Sequence, residues 1–146
     1  MSVEPLPCTG ARLRRLTRRM TVFYEQYLRS VGLRLTQYSV LAHLSEVPQS
    51  LLELAARLET DRTTLSRGLR PLIANGWVSE MRGADARQHL FVLSAEGVAF
   101  RGLADAHWRE AQLALEDVLG RAFVEDLHES LERAMTRLKP ALPEEN

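Results

Sequence analysis

Residues 51–78 read LLELAARLETDRTTLSRGLRPLIANGWV, and this stretch decides the fold. The residues just upstream complete a capping box, Ser50-Leu51-Leu52-Glu53, in which a serine hydroxyl and a glutamate three residues on satisfy each other's orphan backbone N–H groups. Leu51, Leu54, Ala55 and Leu58 follow at helical spacing. The four-residue break Glu59–Arg62, with Thr60 or Asp61 as cap, leads into a second short helix. That helix turns Leu65, Leu69, Leu72 and Ile73 inward and stops at Asn75-Gly76, where glycine suits a left-handed cap. Two short helices across a tight break make a helix-turn-helix, whose second helix meets the DNA major groove with its N-terminal residues. Those residues are Arg62, Thr63 and Thr64, then Ser66 and Arg67. None belongs to the leucine stripe. Arginine can fork onto a guanine edge, and threonine or serine can contact bases. Arg57 and Arg70 are placed for phosphates, which position a protein without reading sequence. The competing reading is an ordinary solvated helix face.

Downstream, Trp77–Arg82 and Gln88–Leu93 read as strands joined by the turn Gly83-Ala84-Asp85-Ala86-Arg87. A hairpin after a helix-turn-helix is a wing. Arg87 is expected to enter a narrow, negative minor groove, with Asp85 accepting hydrogen bonds from Arg87 and holding its fork. The alternative is a plain turn with a polar tip.

Around this module stand longer helices. The first, about Gly10–Val31, repeats Leu13, Leu16, Met20, Phe23, Tyr27 and Val31 on one face. A shorter one, about Gln37–Ser45, has Thr36 as its expected cap. After the wing, Ser94 caps a helix reaching about Val118, Gly120 breaks the pattern, and Ala122–Lys139 carries Phe123, Leu127, Leu131, Met135 and Leu138 on one face. The chain is therefore mainly α with a small β wing. Residues 10–34 form a dimerisation helix, 35–93 a winged helix-turn-helix module, and 94–139 the C-terminal helices that complete the dimerisation region. The outer stripes exceed what one chain can cover, so a homodimer is expected. The ends, Met1–Pro7 and Pro140–Asn146, are expected to fray.

Charge agrees with this division. The 146 residues have a formal net charge of zero, yet residues 1–90 hold 13 basic against 8 acidic residues and residues 91–146 hold 6 against 11. All but one of the basic residues are arginine, the type suited to phosphate and guanine. The single cysteine, Cys8, excludes an intrachain disulfide and a cysteine-based zinc cluster. No apolar run is long enough to span a bilayer and no signal core precedes Arg12–Arg19, so a cytoplasmic location is expected.

On LTQYSVLAHL (35–44), LLELAARLETDRTTLSRGLRPLIANGWV (51–78), DAR (85–87) and LSAEG (93–97), the chain resembles the MarR family of winged helix-turn-helix transcriptional regulators over about residues 10–139. The resemblance implies a triangular dimer built from the outer helices and a near-palindromic double-stranded promoter operator as partner. It also implies a repressor's role, with Arg87 in the minor groove. Ala86 and Gln88 stand where relatives often carry charge, which implies modest wing affinity.

Relatives that sense small aromatic or lipophilic molecules hold them between the dimer helices and the DNA-binding lobe. Here Phe23, Tyr24, Tyr27, Tyr38 and His43 would line that cleft. The same aromatic cluster is also ordinary packing where two helices meet. Some relatives sense peroxides through a cysteine near the start of the first helix. Cys8 lies near that place beside an arginine-rich turn that would favour a thiolate, and the alternative is a bystander thiol. His128 with Glu125 and Glu132 is a pattern that acidic helix faces produce by chance, so no metal is expected. No nucleophile elbow, Walker loop or dinucleotide loop is present, which argues against an enzyme and a cofactor. A winged helix used for protein–protein contact, without DNA binding, would carry an apolar or acidic face on the second helix of the helix-turn-helix. The face here is Arg/Thr/Ser.

Overall fold

The computed structural model describes residues 7–143. The expected fraying tails lie largely outside that range, although Lys139–Ala141 form a 3-10 turn. Six α-helices and three strands run in the order α1 (Thr9–Leu28), α2 (Leu35–His43), β1 (Gln49–Ser50), α3 (Leu51–Leu58), α4 (Arg62–Ala74), β2 (Val78–Arg82), β3 (His89–Leu93), α5 (Ala95–Leu119) and α6 (Arg121–Leu138). A 3-10 turn, Arg29–Val31, continues α1 toward α2. None of these helices is long and apolar enough to cross a membrane.

Local chemistry sets most boundaries. Ser50 Oγ accepts from the Glu53 N–H at 3.2 Å while Glu53 Oε2 accepts from the Ser50 N–H at 2.7 Å, the reciprocal capping box. Those bonds hold the Glu53 carboxyl below its ordinary pKa. Asp61 caps α4 by accepting from the Thr64 N–H at 2.8 Å and from the Thr64 hydroxyl at 2.6 Å, which lowers its pKa too. At the far end the Gly76 N–H reaches the Ile73 carbonyl at 2.9 Å and the Trp77 N–H reaches Leu72 at 3.0 Å. That is a Schellman closure, and it needs the positive φ of 76° that Gly76 adopts. Ser94 caps α5 through the Gly97 N–H at 2.9 Å.

Two expectations need correction. Helix α2 begins at Leu35, so Thr36 lies inside it and does not cap it. Its first N–H groups go instead to longer side chains: Arg34 N–H donates to Gln37 Oε1 at 2.9 Å, and Leu35 N–H to Glu25 Oε1 of α1 at 3.2 Å. The wing sheet also has a third strand. Order is β1-β3-β2, all antiparallel, with Gln49 opposite Phe91, Ser50 opposite Leu90, and Val78 opposite Leu93.

One core joins α1 to the wing. Leu28 of α1, Leu41 of α2, Leu44 beyond it, Leu54 of α3, Leu65, Leu69 and Leu72 of α4, Val78, Phe91 and Leu93 of the sheet, and Ala104 of α5 are all buried. Helix α5 packs along α1. Its first turn is clamped to the wing base, where Trp77 stacks on Phe100 with centroids 3.7 Å apart and planes 5° from parallel. A Cβ at Gly97 would run into the Trp77 carbonyl oxygen, so this approach requires glycine. Helix α6 packs on α5 and leaves most of its surface open.

Candidate nucleic-acid interface

Helix α4 has two faces with different tasks. Leu65, Leu69 and Leu72 point into the core. On the other side Arg62, Thr63, Ser66, Arg67 and Arg70 line one open concavity of about 500 Å³. No ion pair within the chain engages any of these arginines among the described residues. Their donors are free for an external anion or base edge. Thr64 stands apart: its hydroxyl donates to Asp61, which fixes the first turn and leaves the oxygen only as an acceptor. Pro71 sits inside the helix without an N–H, and its carbonyl takes both the Asn75 N–H at 3.0 Å and the Asn75 side-chain amide at 2.7 Å.

Arg57 is placed away from that group. Its Nη1 donates to the His43 carbonyl at 3.2 Å, capping the end of α2. It lines a separate concavity of about 550 Å³ with Leu58 and Glu59 of the α3 end and with Glu132, Met135 and Thr136 of α6.

In the wing, Asp85 acts differently from expectation. Its Oδ1 accepts from the Arg87 backbone N–H at 3.1 Å, not from the guanidinium. The carboxylate therefore shapes the turn as an Asx bond and leaves the Arg87 fork exposed. The turn is closed by Gln88 N–H to Asp85 O at 2.9 Å and Gly83 N–H to Gln88 O at 2.8 Å. Sequence reasoning missed Arg82, whose Nη1 donates to the Ala86 carbonyl at 2.7 Å and ties the strand end to the loop carrying Arg87. The signal was an arginine directly before the turn glycine. Across the hairpin His89 Nδ1 meets Glu80 Oε1 at 2.5 Å.

The aromatic residues proposed for an effector cleft fall into distinct settings. Phe23 packs against Tyr24 at 6.3 Å and Tyr27 at 5.8 Å, all half-buried on α1. The Tyr24 hydroxyl donates to Gln112 of α5, and burial, with Glu116 nearby, pushes its pKa up. Tyr38 is buried, stacked on Trp108 at 5.9 Å, with its hydroxyl donating to Asp105 at 2.8 Å. Burial and that carboxylate drive its pKa upward. His43 is exposed at the end of α2, its Nδ1 2.7 Å from the Ser39 carbonyl. Cys8 is the exposed N-cap of α1, its sulfur accepting from the Ala11 N–H at 3.4 Å. Among the described residues no three His, Cys, Asp or Glu side chains are grouped to hold a metal, and His128, Glu125 and Glu132 form no such set.

Comparison with known proteins accords with this arrangement. The model of the MarR family matches residues 31–88. The HTH-type transcriptional regulator YwoH of Bacillus subtilis is 35% identical over 72 residues, a match spanning 49% of this chain and 53% of YwoH. The M. tuberculosis transcriptional regulator MosR, solved in complex with DNA, is 34% identical with a TM-score of 0.71, covering 88% of this chain and 98% of that one. A cysteine-to-serine variant of E. coli MarR, solved with operator DNA, is 22% identical at a TM-score of 0.76 over 86% and 91% of the two chains, a likeness of fold. With the helix-turn-helix, the hairpin wing and the flanking helices all in place, the chain belongs to the MarR family.

Proposed function

We propose that the chain is a sequence-specific double-stranded DNA-binding transcriptional repressor that works as a homodimer on a near-palindromic operator. One observation carries this reading: the exposed side of α4 gathers Arg62, Thr63, Ser66, Arg67 and Arg70 around one open concavity, while the buried side alone supplies the core. Arg62 and Arg67 take the major groove, Arg70 a phosphate, and Arg87 the minor groove. Asp85 and Arg82 act on Arg87 through the backbone of the turn. Support for the dimer comes from large apolar side chains left open on the outer helices, among them Val22, Leu113, Val118, Phe123 and Leu138.

Release by a small aromatic effector is the finer reading. The half-buried Phe23–Tyr24–Tyr27 group beside α5 supports it, and Tyr38, with ring and hydroxyl both occupied, is a supporting wall. Thiol sensing by Cys8 is the other finer reading, supported by an exposed sulfur at the cap of α1.

Binding to a library of operator variants at fixed salt tests the DNA-reading model. Arg67→Ala should flatten preference at one position of each half-site, since a bidentate arginine–guanine contact discriminates by about 1–3 kcal/mol. Arg87→Ala should weaken many sites alike and leave major-groove preferences intact. Wild-type affinity should fall steeply as salt rises. Unchanged affinity and preference in both variants, or a major-groove change from Arg87→Ala, would overturn the assignment.

A further inference from the structure

We infer that Arg101 of α5, acting through the Leu44 carbonyl, fixes the angle between α5 and the helix-turn-helix, and thereby the half-site spacing that the dimer accepts. This rests on the DNA-binding dimer proposed above. The last carbonyls of a helix have no partner within it and must find one elsewhere when they are buried. At the end of α2 three consecutive carbonyls do so, each through a different element. His43 O accepts from Arg57 Nη1 of α3 at 3.2 Å, Leu44 O from Arg101 Nη1 of α5 at 2.7 Å, and Ser45 O from the Leu93 N–H of β3 at 2.9 Å. Leu44 is 1% exposed, so water cannot take the place of Arg101. A guanidinium at the negative end of α2 is also the favourable sign of charge.

Arg57 and Leu93 belong to the DNA-binding module itself. Arg101 reaches it from α5, the helix that runs on to α6 and to the apolar side chains left open there. One turn further along α5, Asp105 Oδ1 accepts from the Tyr38 hydroxyl at 2.8 Å. Arg101 and Asp105 stand four residues apart, the spacing of an ordinary ion pair on one helix face. Among the described residues they form no such pair, and each bonds α2 instead.

Helix α5 therefore holds the module at points spread along its axis. The wing base is clamped at Gly97 and Phe100 by Trp77. Apolar contact has little directional preference, so a single clamp leaves rotation about it open. Arg101 and Asp105 lie four and eight residues beyond Gly97, about 6 and about 12 Å along the helix. With both bonds made, the module cannot turn about the clamp without leaving a buried carbonyl unpaired. A slip of about 1 Å over a base of about 6 Å is about 10° of rotation. In a two-fold dimer both recognition helices swing together, and their separation has to match half-sites about 34–36 Å apart.

The test uses duplexes that the wild-type chain selects from a randomised pool, remade with the centre between the half-sites lengthened or shortened by one base pair. Wild-type affinity should fall about tenfold or more on either change. Arg101→Met keeps the bulk of the stem and loses the donors. In that variant the spacing penalty should shrink to about threefold or less, with weaker binding at the native spacing and the same base preference within each half-site. A plain loss of stability would lower binding by one factor at every spacing and leave the penalty as it was. Arg57→Met, which frees the neighbouring carbonyl from inside the module, should behave in that second way. Arg101→Lys restores one charged donor and should recover part of the penalty. Tyr38→Phe removes only a hydroxyl and should relax the spacing to a smaller degree. It carries the test if Arg101→Met does not fold, with circular dichroism and sedimentation verifying fold and dimer. An unchanged spacing penalty in Arg101→Met, or in Tyr38→Phe where that is the variant that folds, overturns the inference. So does an altered base preference within the half-sites, which would place Arg101 on DNA. A wild-type chain that enriches no duplex refutes the DNA-binding reading itself, and one that enriches single half-sites refutes the dimer, results distinct from the others.

Discussion

Helices α4 and α6 are written in the same hydrophobic period and end in opposite circumstances. Leu65, Leu69 and Leu72 on α4 are 1%, 1% and 0% exposed, whereas Phe123, Met135 and Leu138 on α6 are 56%, 46% and 58% exposed. The first stripe is closed over by α2, α3 and the wing sheet, all from the same chain. The second packs on α5, which buries Val124 and little else, and its later turns border the end of α3 across an open concavity. Periodicity tells which face of a helix is apolar and says nothing about whose atoms cover it. Helix α4 is thus held rigidly from behind so that its polar side can be presented, while α6 presents its apolar side.

The sharpest way to break this contrast is to truncate both stripes. Leu69→Ala should destabilise by about 2–5 kcal/mol, the range for a leucine deleted from a closed core, and by the same amount at every protein concentration. Phe123→Ala or Leu138→Ala should cost under about 0.5 kcal/mol in a lone protomer, as exposed substitutions do. In a dimer either should instead lower the denaturation midpoint most at low protein concentration. Urea titrations at two widely separated concentrations distinguish the cases. A concentration-independent loss for the α6 variants would mean that α6 is covered within its own chain.

Glycines of α5 give a smaller contrast at the join between the two regions. Gly97→Ala places a methyl against the Trp77 carbonyl, and neither partner can yield without moving the wing base. Overpacking of this kind costs about 1–3 kcal/mol, and operator affinity should fall with stability because the wing moves. A methyl at Gly102, five residues on, would meet nothing within 4 Å. Gly102→Ala should therefore gain about 0.5–1 kcal/mol from helix propensity alone. Thermal melts check both, and a loss at Gly102 would mark that face as an approach surface for another copy.

Much of this was legible because it is local. The Ser50–Glu53 box, the Asp61 cap, the Asn75-Gly76 stop and the Ser94 cap each lie within a few residues of the helix they bound, so sequence and structure agree there. What was not legible depends on distant atoms. Strand β1 is two residues long and exists only because β3 supplies its hydrogen bonds. Thr36 looked like a cap, but the helix starts one residue before it, where Gln37 and Glu25 accept from the Arg34 and Leu35 N–H groups. Asp85 and Arg87 were rightly linked, but a turn brings the carboxylate to the backbone N–H before it brings it to a long side chain. Tyr38 carried no sign of Trp108 and Asp105, which lie 67 or more residues away.

Acid should separate the two regions less strongly but in a definite direction. Glu53 and Asp61 have pKa values held below their ordinary 4.5 and 3.8 by the N–H and hydroxyl groups they accept from at the starts of α3 and α4. A carboxylate with a depressed folded-state pKa contributes stability that is present above its unfolded value and is lost as pH falls through the folded one. The helix-turn-helix should therefore lose helicity as pH drops below the ordinary carboxylate range. Glu53→Gln and Asp61→Asn should each flatten that acid limb, since neither amide titrates. Circular dichroism across the acid range tests this, and an acid limb unchanged in both variants would remove the caps from the account.

The smallest expected effect lies at the start of α1. Cys8 caps that helix with a sulfur 3.4 Å from the Ala11 N–H, and thiol sulfur is a weak acceptor. Serine ranks among the best N-cap residues. In reducing buffer Cys8→Ser should thus match or slightly exceed wild type, by less than about 1 kcal/mol, because the first turn frays and the cap is exposed. Operator affinity should not change, since α4 and the wing are remote from this end of α1. The same variant then isolates the chemistry of the thiol. An oxidised Cys8 sulfur would be bulkier and more polar at a cap that the Ala11 N–H already occupies. If Cys8 is a sensor, peroxide should release the wild-type chain from DNA and leave Cys8→Ser bound. If both respond alike, or neither responds, Cys8 serves only as the cap, and thiol sensing drops out of the account.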